Sequence, residues 1–270
     1  MNARPLAVCA FLVLAGAAVA DVKVVSLLRA PGLAGIGGPQ QTITTYYKGG
    51  LVRTDAQGRT TILDTRKHTT TIIDHTSRTY SVLDTASMAK LQKETMKGMQ
   101  VKVSGHVSPT KDQKSIQKKA ARKYVADLNL VVSGPQLKGP QGPMKMNVKV
   151  HMDQWATTAV KANVSPDQAA GMLGQVLRGF TAIGGVGDLK REMGKIRGLP
   201  LDNQTKVTIS MVPLKGKAPA GAGASQTMSV EIATQSVSEA PINPSVFKVP
   251  AGYTKTAKPM LRGRPGPGGR

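Results

Sequence analysis

The chain has 270 residues, with 37 Lys and Arg against 15 Asp and Glu, which gives a formal net charge of +22. This excess favours anionic partners, while an aromatic content of 3% argues against the base-stacking platforms of single-strand nucleic-acid binders. The lone cysteine, Cys9, lies near the amino terminus, so neither a disulfide nor a cysteine metal site is expected in the folded domain.

The first twenty residues have the layout of a cleavable secretory signal peptide. Arg4 precedes an apolar run from Leu6 to Leu14, and the small residues Ala18 and Ala20 stand just before Asp21. The apolar run is shorter than the about 20 residues needed to span a bilayer. The sequence therefore predicts cleavage after Ala20 and a periplasmic or secreted product. It is not expected to be a lipoprotein, because no cysteine stands at the cleavage position.

The first half of the chain predicts antiparallel strands. Thr42 to Asp55 has the pattern of a β-hairpin, with Lys48, Gly49 and Gly50 at its turn. From Thr60 to Asp84 the stretch "TTILDTRKHTTTIIDHTSRTYSVLD" repeats every ten residues, with six β-favouring residues followed by a polar four. Aspartate is a favoured first residue of a turn. The repeat predicts a meander whose aspartates form corners about 20 Å apart, too far apart to converge on a metal ion.

The histidines do not form a predicted metal site. His68 and His75 fall in turns at opposite ends of the meander, and His106 and His151 are distant in sequence. The ligand spacings that are specific for metal sites are absent. Solvated turn residues are the favoured interpretation of the first two.

The second half predicts further strands and three amphipathic helices. Asp84 or Thr85 is predicted to cap a helix. The lysine-rich segment from Ser108 to Lys123 then leads into a predicted strand whose inward residues are Val125, Leu128, Leu130 and Val132. The other predicted elements are a strand in which Met144, Met146, Val148 and Val150 alternate with polar residues, a helix from Ser165 to Phe180, a helix with Val186, Leu189, Met193 and Ile196 inward, and strands at Thr205–Pro213 and Thr227–Val237.

No motif in the chain indicates catalysis or a cofactor. The "GGVG" stretch at Gly184 to Gly187 has no strand before it and no Gly-Lys-Ser/Thr after it, so a flexible connection is favoured over a phosphate loop. A Gly-x-Ser-x-Gly elbow is also absent. Trp155 and the many methionines suit either plain core filling or the lining of an apolar cavity. We therefore expect no enzyme, no cofactor and no metal.

The order of several motifs resembles a known family. "YYKGGLVRTD", "TIIDHTSRTY", "GLPL" and "FKVPAGY" follow one another between about Asp21 and Tyr253. This arrangement resembles secreted bacterial domains of unknown function in the LolA-like group of periplasmic lipid and lipoprotein carriers. The resemblance implies a mainly β fold with a few helices (α+β): a curved antiparallel sheet, or half β-barrel, closed by amphipathic helices around an apolar cavity. It also implies one domain, residues 21–254, before a basic, disordered tail at 255–270.

The leading hypothesis is a non-enzymatic, monomeric protein that holds a lipid, a lipoprotein acyl chain or another apolar ligand in this cavity. The alternative is a cell-envelope protein with a filled core that binds anionic polymer or membrane surface, and nucleic acid is not an expected partner. The candidate cavity residues are Met88, Leu91, Trp155, Met172, Leu173, Val176 and Phe180. The candidate anionic-surface residues are Lys118, Lys119, Arg122, Lys123, Arg262 and Arg264.

Overall fold

A computed structural model describes residues 21–30, 40–84, 86–87, 90, 94, 98–139, 142–162, 187–214 and 225–256. The predicted signal peptide, the predicted helix at 165–180 and most of the predicted tail lie outside these residues. The prediction of a mainly β chain is confirmed, because most described residues lie in strands. None of the described helices is long and apolar enough to cross a bilayer.

The described strands form a single twelve-stranded sheet in the order β12-β6-β5-β4-β3-β2-β1-β11-β10-β9-β8-β7. Neighbouring strands are antiparallel except β12, which runs parallel to β6. The strands are β1 (Val22–Arg29), β2 (Gln41–Lys48), β3 (Leu51–Ala56), β4 (Arg59–Asp64), β5 (Thr69–Asp74), β6 (Thr79–Asp84), β7 (Gln100–Ile116), β8 (Lys119–Gly139), β9 (Gly142–Thr157), β10 (Leu199–Pro213), β11 (Gln226–Ser238) and β12 (Thr254–Lys255).

The predicted hairpin and meander are confirmed in strands β2 to β6. Gly49 and Gly50 connect β2 to β3 with φ values of +50° and +89°, which favour glycine. At the next corners Asp64 Oδ1 accepts hydrogen bonds from the amides of Arg66 and Lys67, each 3.0 Å long. Asp74 Oδ1 forms the equivalent pair of bonds at the following turn. The aspartates make corners, as their spacing predicts.

The largest core cluster lies on one face of strands β7 to β9. Helix α1 (Gly187–Met193) packs its Leu189 and Met193 there, together with Ile196. These side chains cover fully buried Val107 and Met152. Burying each such aliphatic side chain contributes about 1.5–3 kcal/mol. The predicted inward positions of this helix are thus confirmed for its described residues.

The sheet curls at the end where β7 turns into β8. Gln117, in that turn, donates a hydrogen bond to the carbonyl of Thr234 in β11, although β9 and β10 lie between β8 and β11. Ile116 belongs to the same buried cluster as Val22 of β1 and Tyr47 of β2. Register shifts in β1, β7 and β10 accompany this curl, and such bulges increase local twist.

Some predictions of local structure were incomplete or wrong. The lysine-rich stretch before β8 is not a separate approach, because Gln100–Ile116 is itself a strand of 17 residues. Val125 faces away from the core, since Tyr124 and Ala126 are the buried neighbours in β8. Lys255, assigned to the tail from sequence, is the second residue of β12.

Candidate binding surfaces

One face of strands β7 to β10 carries successive rows of apolar side chains. Residues directly opposite each other on neighbouring strands project from the same face of a sheet. We call the two rows farthest from helix α1 the inner face. The first row consists of Val101, Val132, Met146 and Met211, and the second of Val103, Leu130, Val148 and Ile209.

Burial changes along this side of the sheet. Beside helix α1, Val107 and Met152 are inaccessible to solvent. In the two rows of the inner face, Leu130 and Val132 are also buried, whereas Met146 and Met211 keep partial exposure. Methionine is unbranched and polarizable, so it adapts to irregular apolar partners. The inner face is therefore an apolar surface that is buried at its β8 positions and partly exposed at the methionines of β9 and β10.

Trp155 does not join the inner face. Its neighbour Ala156 belongs to the core cluster beneath α1, and successive side chains in a strand alternate between the two faces. Trp155 instead packs against the cluster at the curled end, with the Lys114 ammonium 4.5 Å from its ring centroid. Trp155 therefore lies apart from the inner face, and its place in a ligand cavity stays a prediction. The other six predicted cavity residues, Met88, Leu91, Met172, Leu173, Val176 and Phe180, lie outside the described residues.

A polar cleft of about 240 Å³ lies beside Trp155. Lys114 pairs with Asp202 at 2.8 Å and Lys123 with Asp153 at 2.9 Å, so oppositely charged side chains line it together. A second Asp202 oxygen accepts the amide hydrogen of Thr234 at 2.9 Å. Most of the charge in this cleft is neutralised internally, which makes it a poor site for an ionic ligand.

The predicted cationic surface is also partly neutralised. Lys119 pairs with Glu239, and Lys123 pairs with Asp153 as described above. Arg122 directs its Nε at the carbonyl of Thr110, 2.8 Å away. Lys118 is exposed in the turn between β7 and β8, whereas Arg262 and Arg264 lie outside the described residues. Two of the four described cations thus already have acidic partners.

A second open cleft, of about 350 Å³, lies beside a series of hydrogen-bonded side chains in the region of β3 to β5. The Thr60 hydroxyl donates to Asp55, which also accepts from Arg53 Nε at 2.8 Å. His75 Nε2 lies 2.8 Å from Thr60 Oγ, and His75 Nδ1 lies 2.7 Å from the Tyr253 hydroxyl. Since the single hydroxyl proton of Thr60 goes to Asp55, neutral His75 carries its proton on Nε2 and accepts from Tyr253 on Nδ1.

This order of groups does not match a hydrolytic triad. In a triad the histidine stands between the acid and the nucleophilic hydroxyl and removes the hydroxyl proton. Here Thr60 stands between Asp55 and His75, and its proton already points at the acid. His75 is half-buried in this chain of bonds, so its assignment as a solvated turn residue is wrong. The hydrogen bond between His75 and Tyr253 holds the C-terminal segment against the meander.

Comparisons with known proteins add little to this description. No family model and no curated protein matches the chain. Among solved structures, the structure of PNGF-II matches at 10% sequence identity with a TM-score of 0.40. The match covers 88% of this chain and 31% of that one. A likeness at that level carries no argument about function.

Sequence reasoning missed two features of these surfaces. The sequence predicts the inner-face residues of β8 and β9, such as Leu130, Val132, Met146 and Val148, but not those of β7 and β10, because each row joins side chains from separate strands. The outward lysines of the same strands were taken only as a polar face. The alternation of these lysines with apolar residues was the available signal. The strand pairing that brings lysines of different strands together is not visible in the sequence of a single strand.

Proposed function

We propose that the chain is a non-enzymatic binding protein that holds an acyl chain or a comparable apolar group against the inner face. The single observation that carries the proposal is the pair of uninterrupted apolar rows across β7 to β10, whose methionine end keeps partial exposure. In this proposal the sheet is the wall of a LolA-like half-barrel.

The chemistry of an acyl ligand agrees with the composition of these rows. Transfer of each methylene from water into an apolar site contributes about 0.8 kcal/mol, so affinity grows with chain length and needs no polar contact. Val101, Val132, Met146 and Met211 present no hydrogen-bonding group other than a weak thioether acceptor. We further propose that the protein acts as a monomer in the periplasm or after secretion, with lipids or lipoprotein acyl chains as its ligands.

Paired substitutions on the two faces of the same strands test this proposal. Met146→Gln with Met211→Gln places two amides on the inner face at nearly unchanged size. Each amide buried without a partner costs about 1–3 kcal/mol, which predicts at least a tenfold loss of affinity for a fluorescent fatty acid. The matched control is Asn147→Gln with Ser210→Gln, a directly opposed pair that projects from the other face.

The control variant should bind the fatty acid like the unmodified protein. Thermal unfolding of both variants separates a local effect on binding from a general loss of structure. Equal affinity of the inner-face variant and the control would mean that the inner face is core rather than a ligand site.

A further inference from the structure

Four lysines lie together on the outer side of the sheet that carries the inner face. Lys102 is in β7, Lys145 and Lys149 are in β9, and Lys206 is in β10. Each alternates in sequence with an apolar residue of the inner side, so all four project from the opposite face. Lys102, Lys149 and Lys206 are exposed, and Lys145 is partly so. We call this surface the lysine face.

The lysine face differs from other basic parts of the sheet in the pairing of its lysines. No ion pair joins any of its four lysines to another residue in the described part of the chain, whereas Lys114, Lys119 and Lys123 are each paired. Three acids each lie one strand and two residues from a lysine of this face: Asp127 near Lys149, and Asp153 and Glu231 near Lys206. Each has another partner, because Asp127 is hydrogen-bonded to His151 at 2.7 Å, Asp153 pairs with Lys123 at 2.9 Å and Glu231 pairs with Arg29 at 3.7 Å. His151 lies directly opposite Lys206, and the other side chains between the lysines are the short neutral ones of Ser104, Asn129, Val131, Asn147 and Thr208.

The spacing of these lysines is two-dimensional. With strands about 4.8 Å apart and about 3.4 Å per residue, the Cα atoms of Lys149 and Lys206 are about 8 Å apart. By the same geometry Lys102 lies about 12 Å from both Lys145 and Lys149. The charges therefore lie on three strands, β7, β9 and β10, rather than along a line. A plane of anionic headgroups matches this pattern better than a single linear polyanion.

We propose that the lysine face docks the protein on an anionic lipid bilayer. Short neutral residues let the lysine stems lie flat while their ammonium groups reach lipid phosphates. No Phe, Tyr or Trp stands in the rows that hold the lysines, so these rows lack the large aromatic rings on which bases of a single strand stack. The proposal is independent of ligand binding on the inner face, because the two faces are carried by different side chains of the same strands.

Co-sedimentation with lipid vesicles tests the docking face. The purified protein should bind vesicles of mixed phosphatidylglycerol and phosphatidylcholine and not vesicles of phosphatidylcholine alone. Each lysine near an anionic surface contributes about fivefold in binding, so the triple variant Lys102→Gln, Lys149→Gln and Lys206→Gln should bind about a hundredfold more weakly. About 1 M salt, which shortens the screening length to about 3 Å, should release the unmodified protein.

The matched control removes the same charge from elsewhere. Lys67, Lys248 and Lys255 are exposed in the meander turn and the C-terminal segment, away from the lysine face. Their replacement by glutamine should leave vesicle binding within a few-fold of the unmodified protein, and circular dichroism verifies folding of both variants. Equal losses in the two triple variants would overturn the proposal, because total charge would then be the cause. Binding to dissolved polyglutamate but not to vesicles would overturn it in favour of a polymer partner.

Discussion

Tyr253 joins parts of the chain that are far apart in sequence. Its hydroxyl meets His75, 178 residues away, and the two rings contact edge to face with centroids 5.7 Å apart. Close by, the Arg53 guanidinium donates to the carbonyl of Val246, and Thr254 N bonds to Arg78 O at 3.0 Å. The C-terminal segment is therefore held to β3 to β6 by side-chain bonds as well as by the short pairing of β12.

The Tyr253→Phe variant should weaken the attachment of the C-terminal segment to β3 to β6. It removes the donor to His75 Nδ1 and keeps the ring, so the expected loss in free energy of unfolding is about 1 kcal/mol by urea denaturation. Tyr46→Phe is the control, since the Tyr46 ring contacts Lys23 and its hydroxyl has no hydrogen bond within the described chain. A loss no larger for Tyr253→Phe than for Tyr46→Phe would show that the bond to His75 contributes nothing.

The roles of some single residues could be predicted from the sequence, and the roles of others could not. Asp64 and Asp74 bond to amides two and three residues ahead, so the local sequence contains both partners. The amide hydrogen bond from Ser77 holds the pKa of Asp74 below its ordinary value. The partner of His75 is brought to it only by the complete fold, and no spacing in one sequence encodes that distance.

At the scale of elements, Glu192 fastens helix α1 to β7, the last strand in the sheet order. Its Oε2 accepts the backbone hydrogen of Val107 at 2.8 Å and lies 3.2 Å from His106 Nδ1. Lys195, one turn further on, contacts the same oxygen at 2.7 Å. The bond occupies an edge-strand amide that would otherwise be available to another chain.

Removing the Glu192 carboxylate should make local opening of the edge strand β7 easier. Glu192→Ala is expected to speed hydrogen exchange at the Val107 amide, while Asp188→Ala, an exposed acid on the same helix that pairs with Arg191, should not. The hydrogen bond from Lys195 is the main cause that lowers the pKa of Glu192 from its ordinary 4.5. The stabilisation that the ionised Glu192 carboxylate provides is therefore complete above about pH 4.5. It is lost as the pH falls through the lowered pKa of Glu192 in the folded state. Unchanged exchange in Glu192→Ala would contradict this role.

Strands were predictable where their own residues alternate. β9 has a clean alternation of apolar and polar side chains, and β4 to β6 repeat with turn residues between them. β7 carries this signal only in its first part, where Val101, Val103 and Val107 alternate with polar residues, because the rest of its length is polar on both faces. Its strand structure comes from pairing with β8 along most of its length rather than from its own pattern.

At the scale of the whole molecule, two antiparallel meanders become one sheet through the pairing of β1 with β11. That contact joins the beginning of the described chain to a strand more than 200 residues later, so sequence could indicate strands but not their order. The long strands β7 to β10 then expose an apolar side and a lysine-rich side. We propose that the first holds an acyl group and the second brings it to a membrane.

Native mass spectrometry of the protein, purified in high salt without detergent, tests the central claim most directly. Extraction and analysis of any bound lipid would follow. The account predicts a stoichiometric adduct that survives high salt and is lost in the Met146→Gln and Met211→Gln variant. A bare mass that stays unchanged after incubation with envelope lipids would contradict it.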